Sequence, residues 1–168
     1  VMPCATIPGD AAADSAPLGR GVDKEDRMTD VVLVDVADGV AVVTMNRPEA
    51  RNALNRALRA AVPRVLRELD ADASVRAMIL TGTDRAFCAG LDVKDISTSG
   101  MGTAELYSGI TFDGLAKPLI GAVNGPAVTG GFELALGCDF LLASERARFA
   151  DTHARVGVMP GWGLTVLL

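Results

Sequence analysis

Leu119-Ile120-Gly121-Ala122-Val123-Asn124-Gly125-Pro126-Ala127-Val128-Thr129-Gly130-Gly131-Phe132-Glu133-Leu134-Ala135-Leu136 is the stretch whose reading decides the fold. Its first five residues form a short apolar run after Pro118, which suits a strand buried on both faces. Asn124, Gly125 and Pro126 stop that strand, and a helix is expected from Gly130 to Leu136. Strand, glycine-rich loop, helix is the resulting unit. An earlier one starts at Ala77-Met78-Ile79-Leu80 and runs into a loop with Gly82 and Gly90.

Working outward, residues 31–36 and 40–45 are β-branched runs separated by Ala37-Asp38-Gly39. An Asp-Gly pair between such runs predicts an antiparallel hairpin. Leu54, Leu58, Val62, Val65, Leu66 and Leu69 follow helical spacing, so a helix is expected over 53–70, kinked or split by Pro63. A weaker helix is expected near 103–115 and a strand over 140–143. Repeated alternation of strand and helix makes the fold class α/β. A doubly wound sheet and a spiral of ββα units both fit the pattern. Residues 1–27 carry Ala, Gly, Pro and charge without periodicity and read as a disordered leader, with Met28 as the expected start and 28–168 as the folded domain. Gly163-Leu164-Thr165-Val166-Leu167-Leu168 reads as the first turn of a helix without a stop signal, so the C-terminus is expected to be truncated.

The chain has 168 residues, 49% of them hydrophobic, which suits one domain with a sizeable core. A formal net charge of -5 with no basic run argues against nucleic acid or an anionic membrane as partner. No apolar run has membrane-span length. The cysteines Cys4, Cys88 and Cys138 have neither disulfide nor metal spacing, and His153 is the single histidine, so no zinc site is expected. A soluble protein of the reducing cytoplasm is the expectation.

The two loops after the central strands carry the candidate chemistry. Both are built of small residues that allow close backbone approach, and the second opens a helix whose free amides face outward. Two such loops can converge on one anion, as a developing oxyanion requires. Glycine pairs beside strands equally serve tight turns and close helix–sheet packing, and on spacing alone that reading is the stronger. Lys94 or Arg51 alone reads as a solvated cation. Cys88 has only Arg85 as a basic neighbour and reads as packing, as does Cys138.

Three segments stand out together: Asn46-Arg47-Pro48-Glu49-Ala50-Arg51-Asn52-Ala53-Leu54-Asn55, then Phe87-Cys88-Ala89-Gly90-Leu91-Asp92-Val93-Lys94, then Val123 to Ala127 with Gly130-Gly131-Phe132-Glu133-Leu134-Ala135-Leu136 and Cys138-Asp139. In order and spacing they resemble the enoyl-CoA hydratase, or crotonase, family. The similarity covers residues 31–168. It implies a crotonase-like spiral of ββα repeats, lacking the helical region with which longer relatives form trimers or hexamers. It also implies an acyl-CoA thioester as partner, with coenzyme A as part of the substrate and no separate cofactor, and a place in fatty acid metabolism and β-oxidation. By position, the amides of Leu91 and Gly130 would hold the thioester oxygen. Ala89, Leu91, Asp92, Val93, Lys94 and Gly130 would bind substrate, with residues 46–55 near the adenine end.

Glu133 matches the family's catalytic glutamate; by itself it would also read as an N-terminal helix charge. The family's second glutamate is absent: Arg148-Phe149-Ala150-Asp151-Thr152-His153 places His153 there. An imidazole can share acid/base work, with Asp151 nearby, and a hydrogen-bonded histidine at a strand end is the plain alternative. Hydration of a 2-trans-enoyl-CoA is the expected reaction. Double-bond isomerisation, decarboxylation and thioester hydrolysis are the alternatives through the same enolate, and an inactive fragment is the rival from another class. A serine hydrolase is disfavoured, because no serine stands in a G-x-S-x-G turn.

Overall fold

The computed structural model describes residues 5–6, 31–99 and 110–168. Strands β1 (Ala5–Thr6), β2 (Val32–Ala37), β3 (Val40–Met45), β4 (Ala77–Gly82), β5 (Leu119–Val123) and β7 (Phe140–Ala143) form one sheet in the order β1-β7-β5-β4-β3-β2. The expected hairpin is present: β2 and β3 are antiparallel, and Asp38 and Gly39 both have positive φ, 51° and 78°. From β3 onward each strand lies parallel to the one before it.

A second layer repeats that order. Leu54 bridges Leu91, Cys88 bridges Ala127, and β6 (Pro126–Val128) pairs with β8 (Arg148–Ala150), all in parallel. Each turn of chain therefore lays one long strand in the first sheet and one short segment in the second layer. A helix follows at α1 (Arg56–Ala71), α2 (Val93–Ser99) and α3 (Gly130–Leu136). From β2 to β7 the strand order never reverses, which makes a spiral and not a doubly wound sheet. A one-turn helix, α4 (Leu164–Leu167), follows the 3-10 turn at His153–Val156.

The core lies between the sheet and α1. Asn55 caps that helix, its side chain accepting from the Leu58 amide at 2.9 Å. Leu58, Val62, Val65, Leu66 and Leu69 turn to Ala41, Val43, Met45, Met78 and Leu80. Each fully buried aliphatic side chain contributes about 1.5–3 kcal/mol, more than enough in sum to hold the helix on the sheet. That is why α1 runs on through Pro63: of the two expected outcomes, a kink or a split, the split does not occur. The central strands alternate fully buried with half-buried positions, so they are not buried equally on both faces as expected.

Two further expectations meet the structure differently. Of the helix expected near 103–115, residues 103–109 lie outside the described residues. Residues 110–115 are irregular, with Gly114 at φ 83° and Pro118 beyond it, neither compatible with a continuing helix. Of the expected leader, only Ala5–Thr6 is described, as a strand beside β7.

Candidate active site

The two glycine-bearing loops meet. Phe87 and Cys88 donate their amides to the Pro126 carbonyl, both at 3.1 Å, and the Val128 amide returns a bond to the Cys88 carbonyl at 3.0 Å. The approach is so close that a Cβ on Gly131 would stand 2.2 Å from the Cys88 oxygen. A Cβ on Gly90, whose φ is 93°, would lie 2.8 Å from the Val128 oxygen and 3.5 Å from the Gly130 nitrogen. The Gly90-Leu91 peptide thus sits beside the amide that opens α3. Among the described residues the amides of Leu91 and Gly130 have no acceptor.

The turn into α3 is strained. Thr129, a β-branched residue, has φ 55° and ψ -117°, held by its amide bond to the Ala150 carbonyl at 2.8 Å and by a hydroxyl contact with Thr152. Its carbonyl accepts from the Phe132 and Glu133 amides, which fixes the first turn of α3 and the direction of Glu133.

Glu133 is 4% exposed. Its Oε1 accepts the Trp162 amide at 2.7 Å and the Leu164 amide at 3.3 Å; its Oε2 lies 3.4 Å from His153 Nε2. His153, also 4% exposed, places Nδ1 2.7 Å from Asp151 Oδ1, and the same oxygen accepts the His153 amide at 3.0 Å. The structure therefore joins Glu133, His153 and Asp151 in a line from the buried loop junction towards solvent. The backbone and side-chain hydrogen bonds from His153 lower the Asp151 pKa from its ordinary value. The Trp162 ring covers Gly130, within 3.1 Å of where a Cβ would stand, and the Arg59 guanidinium lies 5.4 Å from that ring's centre.

The turn at 46–55 is locked to the first loop by Asn52, which is fully buried with a φ of 57°. Its Nδ2 donates to the Thr83 and Ala86 carbonyls, and its Oδ1 accepts from the Arg47 amide and the Thr83 hydroxyl. Arg47 reaches the Asp92 carboxylate at 3.0 Å and the Ala53 carbonyl. Burial raises the Asp92 pKa, but the Arg47 hydrogen bond and charge and the amides of Asp95 and Lys94 outweigh it, and the net shift is downward. Of the expected substrate-binding residues, Ala89, Leu91 and Asp92 are half-buried in this turn junction, and Val93 and Lys94 are exposed at the start of α2. Arg51 is exposed too.

Burial pushes the Cys88 and Cys138 thiols up to about 12, which leaves both as inert packing groups. Among the described residues no cluster of three or more His, Cys, Asp or Glu side chains could hold a metal ion, and no helix is long and apolar enough to cross a membrane. Reading the sequence missed Trp162, Leu164, Thr129 and Asn52. Trp162 and Leu164 act through backbone amides, which leave no mark in sequence. Within the run Asn46 to Asn55, only the buried αL position singles out Asn52.

The enoyl-CoA hydratase/isomerase family profile matches residues 35–168. A probable peroxisomal enoyl-CoA hydratase 1 of Arabidopsis thaliana is 44% identical over 130 residues, 76% of this chain and 49% of the relative. The 1,2-epoxyphenylacetyl-CoA isomerase of Escherichia coli is 35% identical over 151 residues, 84% of this chain and 58% of the relative. The crystal structure of an enoyl-CoA hydratase from Mycobacterium tuberculosis H37Rv superposes with a TM-score of 0.71 at 51% identity, covering 82% of this chain and 59% of that one. The chain spans about half the length of the curated relatives it matches.

Proposed function

This chain belongs to the enoyl-CoA hydratase/isomerase family, and from that premise we propose that it adds water to a 2-trans-enoyl-CoA. The observation that carries this reading is the buried Glu133 carboxylate beside two amides, Leu91 and Gly130, that have no acceptor among the described residues. In the proposed reaction those amides receive the thioester oxygen. Negative charge gathers there when the water oxygen bonds to C3 and the C2=C3 pair moves into the enolate. Glu133 takes the water's proton, and C2 then receives one. The peptides are preorganised: Gly90 and Gly131 let the loops approach, and the Thr129 turn aims the α3 amide. Ala89, Leu91, Asp92, Val93, Lys94 and Gly130 are the proposed substrate contacts. No cofactor beyond the substrate's own coenzyme A is needed. Fatty acid β-oxidation, a cytoplasmic location and assembly as a homo-oligomer complete the reading.

Isomerisation through the same enolate is the second reading. It is favoured by His153 facing Glu133, because one shared proton suffices to move a double bond. The test follows the loss of conjugated-enoyl absorbance with crotonyl-CoA. Turnover is expected, with kcat for Glu133→Gln lower by roughly 10²–10⁴-fold, the usual worth of a positioned acid/base group. Folded protein that leaves crotonyl-CoA unchanged but shifts the double bond of a 3-enoyl-CoA replaces hydration with isomerisation.

A further inference from the structure

The geometry points to Asp151 as a positioning residue of this site: its carboxylate holds the His153 ring with a proton on Nδ1, so that Nε2 faces Glu133 and the two share one transferable proton. An ionised carboxylate only accepts hydrogen bonds. Asp151 Oδ1 lies 2.7 Å from Nδ1, so Nδ1 is the donor; the His153 amide, donating to the same oxygen at 3.0 Å, pins the carboxylate in place. At the other end, Glu133 Oε1 is occupied by the Trp162 and Leu164 amides. A proton on Glu133 therefore sits on Oε2, which faces Nε2 at 3.4 Å, just beyond ordinary hydrogen-bond length and of the kind that tightens when substrate binds.

What the shared proton does rests on the hydratase reading. As the water oxygen bonds to C3, one water O–H breaks and its proton passes to Glu133 Oε2 and on to Nε2, while the C2=C3 electrons enter the enolate. The Asp151 charge stabilises the imidazolium for as long as the enolate exists. C2 then takes a proton back through Oε2, a C2–H bond forms, and the pair returns to its starting state with no net gain or loss of protons. Asp151 is suited to be the outer member: its side chain is 46% exposed, against 5% for His153 and 2% for Glu133. It keeps its hydration while the inner two groups are shielded.

Asp151→Asn isolates the charge. Asparagine Oδ1 still accepts from the His153 amide and from Nδ1–H, so ring and loop stay in place. With crotonyl-CoA, kcat is expected to fall roughly 10- to 100-fold with KM unchanged, the range typical when a carboxylate that orients an imidazole is lost. Asp151→Ala, which also frees the ring, falls further. Wild-type kcat in Asp151→Asn overturns the assignment. A second measurement is independent of activity: ¹⁵N NMR of the ring nitrogens, unambiguous because the chain has a single histidine. A proton on Nδ1 in the wild type, lost or mixed in Asp151→Ala, is the expected result, and a bare Nδ1 in the wild type overturns it. If the wild type leaves crotonyl-CoA untouched, the hydratase reading fails and the Nδ1 signal alone decides the positioning role.

Discussion

Gly131 has no room for a methyl group: the Cβ would stand 2.2 Å from the Cys88 carbonyl, a backbone atom that cannot swing aside. Gly131→Ala is therefore expected to push the two loops apart, costing about 1–3 kcal/mol as overpacking does. The thermal midpoint would fall, and any acyl-CoA turnover would fall with it. Asn52→Ala acts from the opposite side of the first loop. It strands the buried Ala86 carbonyl and the Arg47 amide, and each stranded group costs about 1–3 kcal/mol. Chemical denaturation that finds Asn52→Ala as stable as the wild type would show that water replaces these bonds.

Pro63 sits in the middle of α1 and brings no backbone N–H donor to the helix. Pro63→Ala restores that donor, and the helix should gain up to about 3 kcal/mol, less the smaller loss from a freer unfolded chain. Leu66→Ala is the counterpart on the buried face and should lose about 2–5 kcal/mol. A denaturant series on the two variants checks both signs. Elements of this length were legible in the sequence, because α1, the β2–β3 hairpin and β5 each carry their own periodicity or turn chemistry. The three-residue strands β6 and β8 were not, since their pairing comes from neighbouring turns of the spiral and has no local pattern. For the site, the resemblance pointed to Glu133 and His153, whereas the Trp162 and Leu164 amides approach from about thirty residues downstream of Glu133 and only the assembled fold brings them there.

The whole molecule should lose stability in acid for identifiable reasons. Asp92 and Asp151 both have folded-state pKa values below the ordinary carboxylate value. Groups depressed in this way contribute stability that is fully present above the unfolded pKa and is lost as pH falls through the folded one. The thermal midpoint should thus hold above about pH 5 and drop below it. The double variant Asp92→Asn/Asp151→Asn should show a shallower drop, and an equally steep one would assign acid sensitivity to other carboxylates.

Because β3, β4, β5 and β7 stack in the order in which they are made, a chain emerging from the ribosome can add each turn onto one already laid down. The two amides that grip Glu133, those of Trp162 and Leu164, come after β7 and β8 in the chain. A growing chain would therefore carry the Glu133 carboxylate ungripped until residues 162 and 164 had left the ribosome, so the strands of the sheet can be laid down before the amides that fix this side chain.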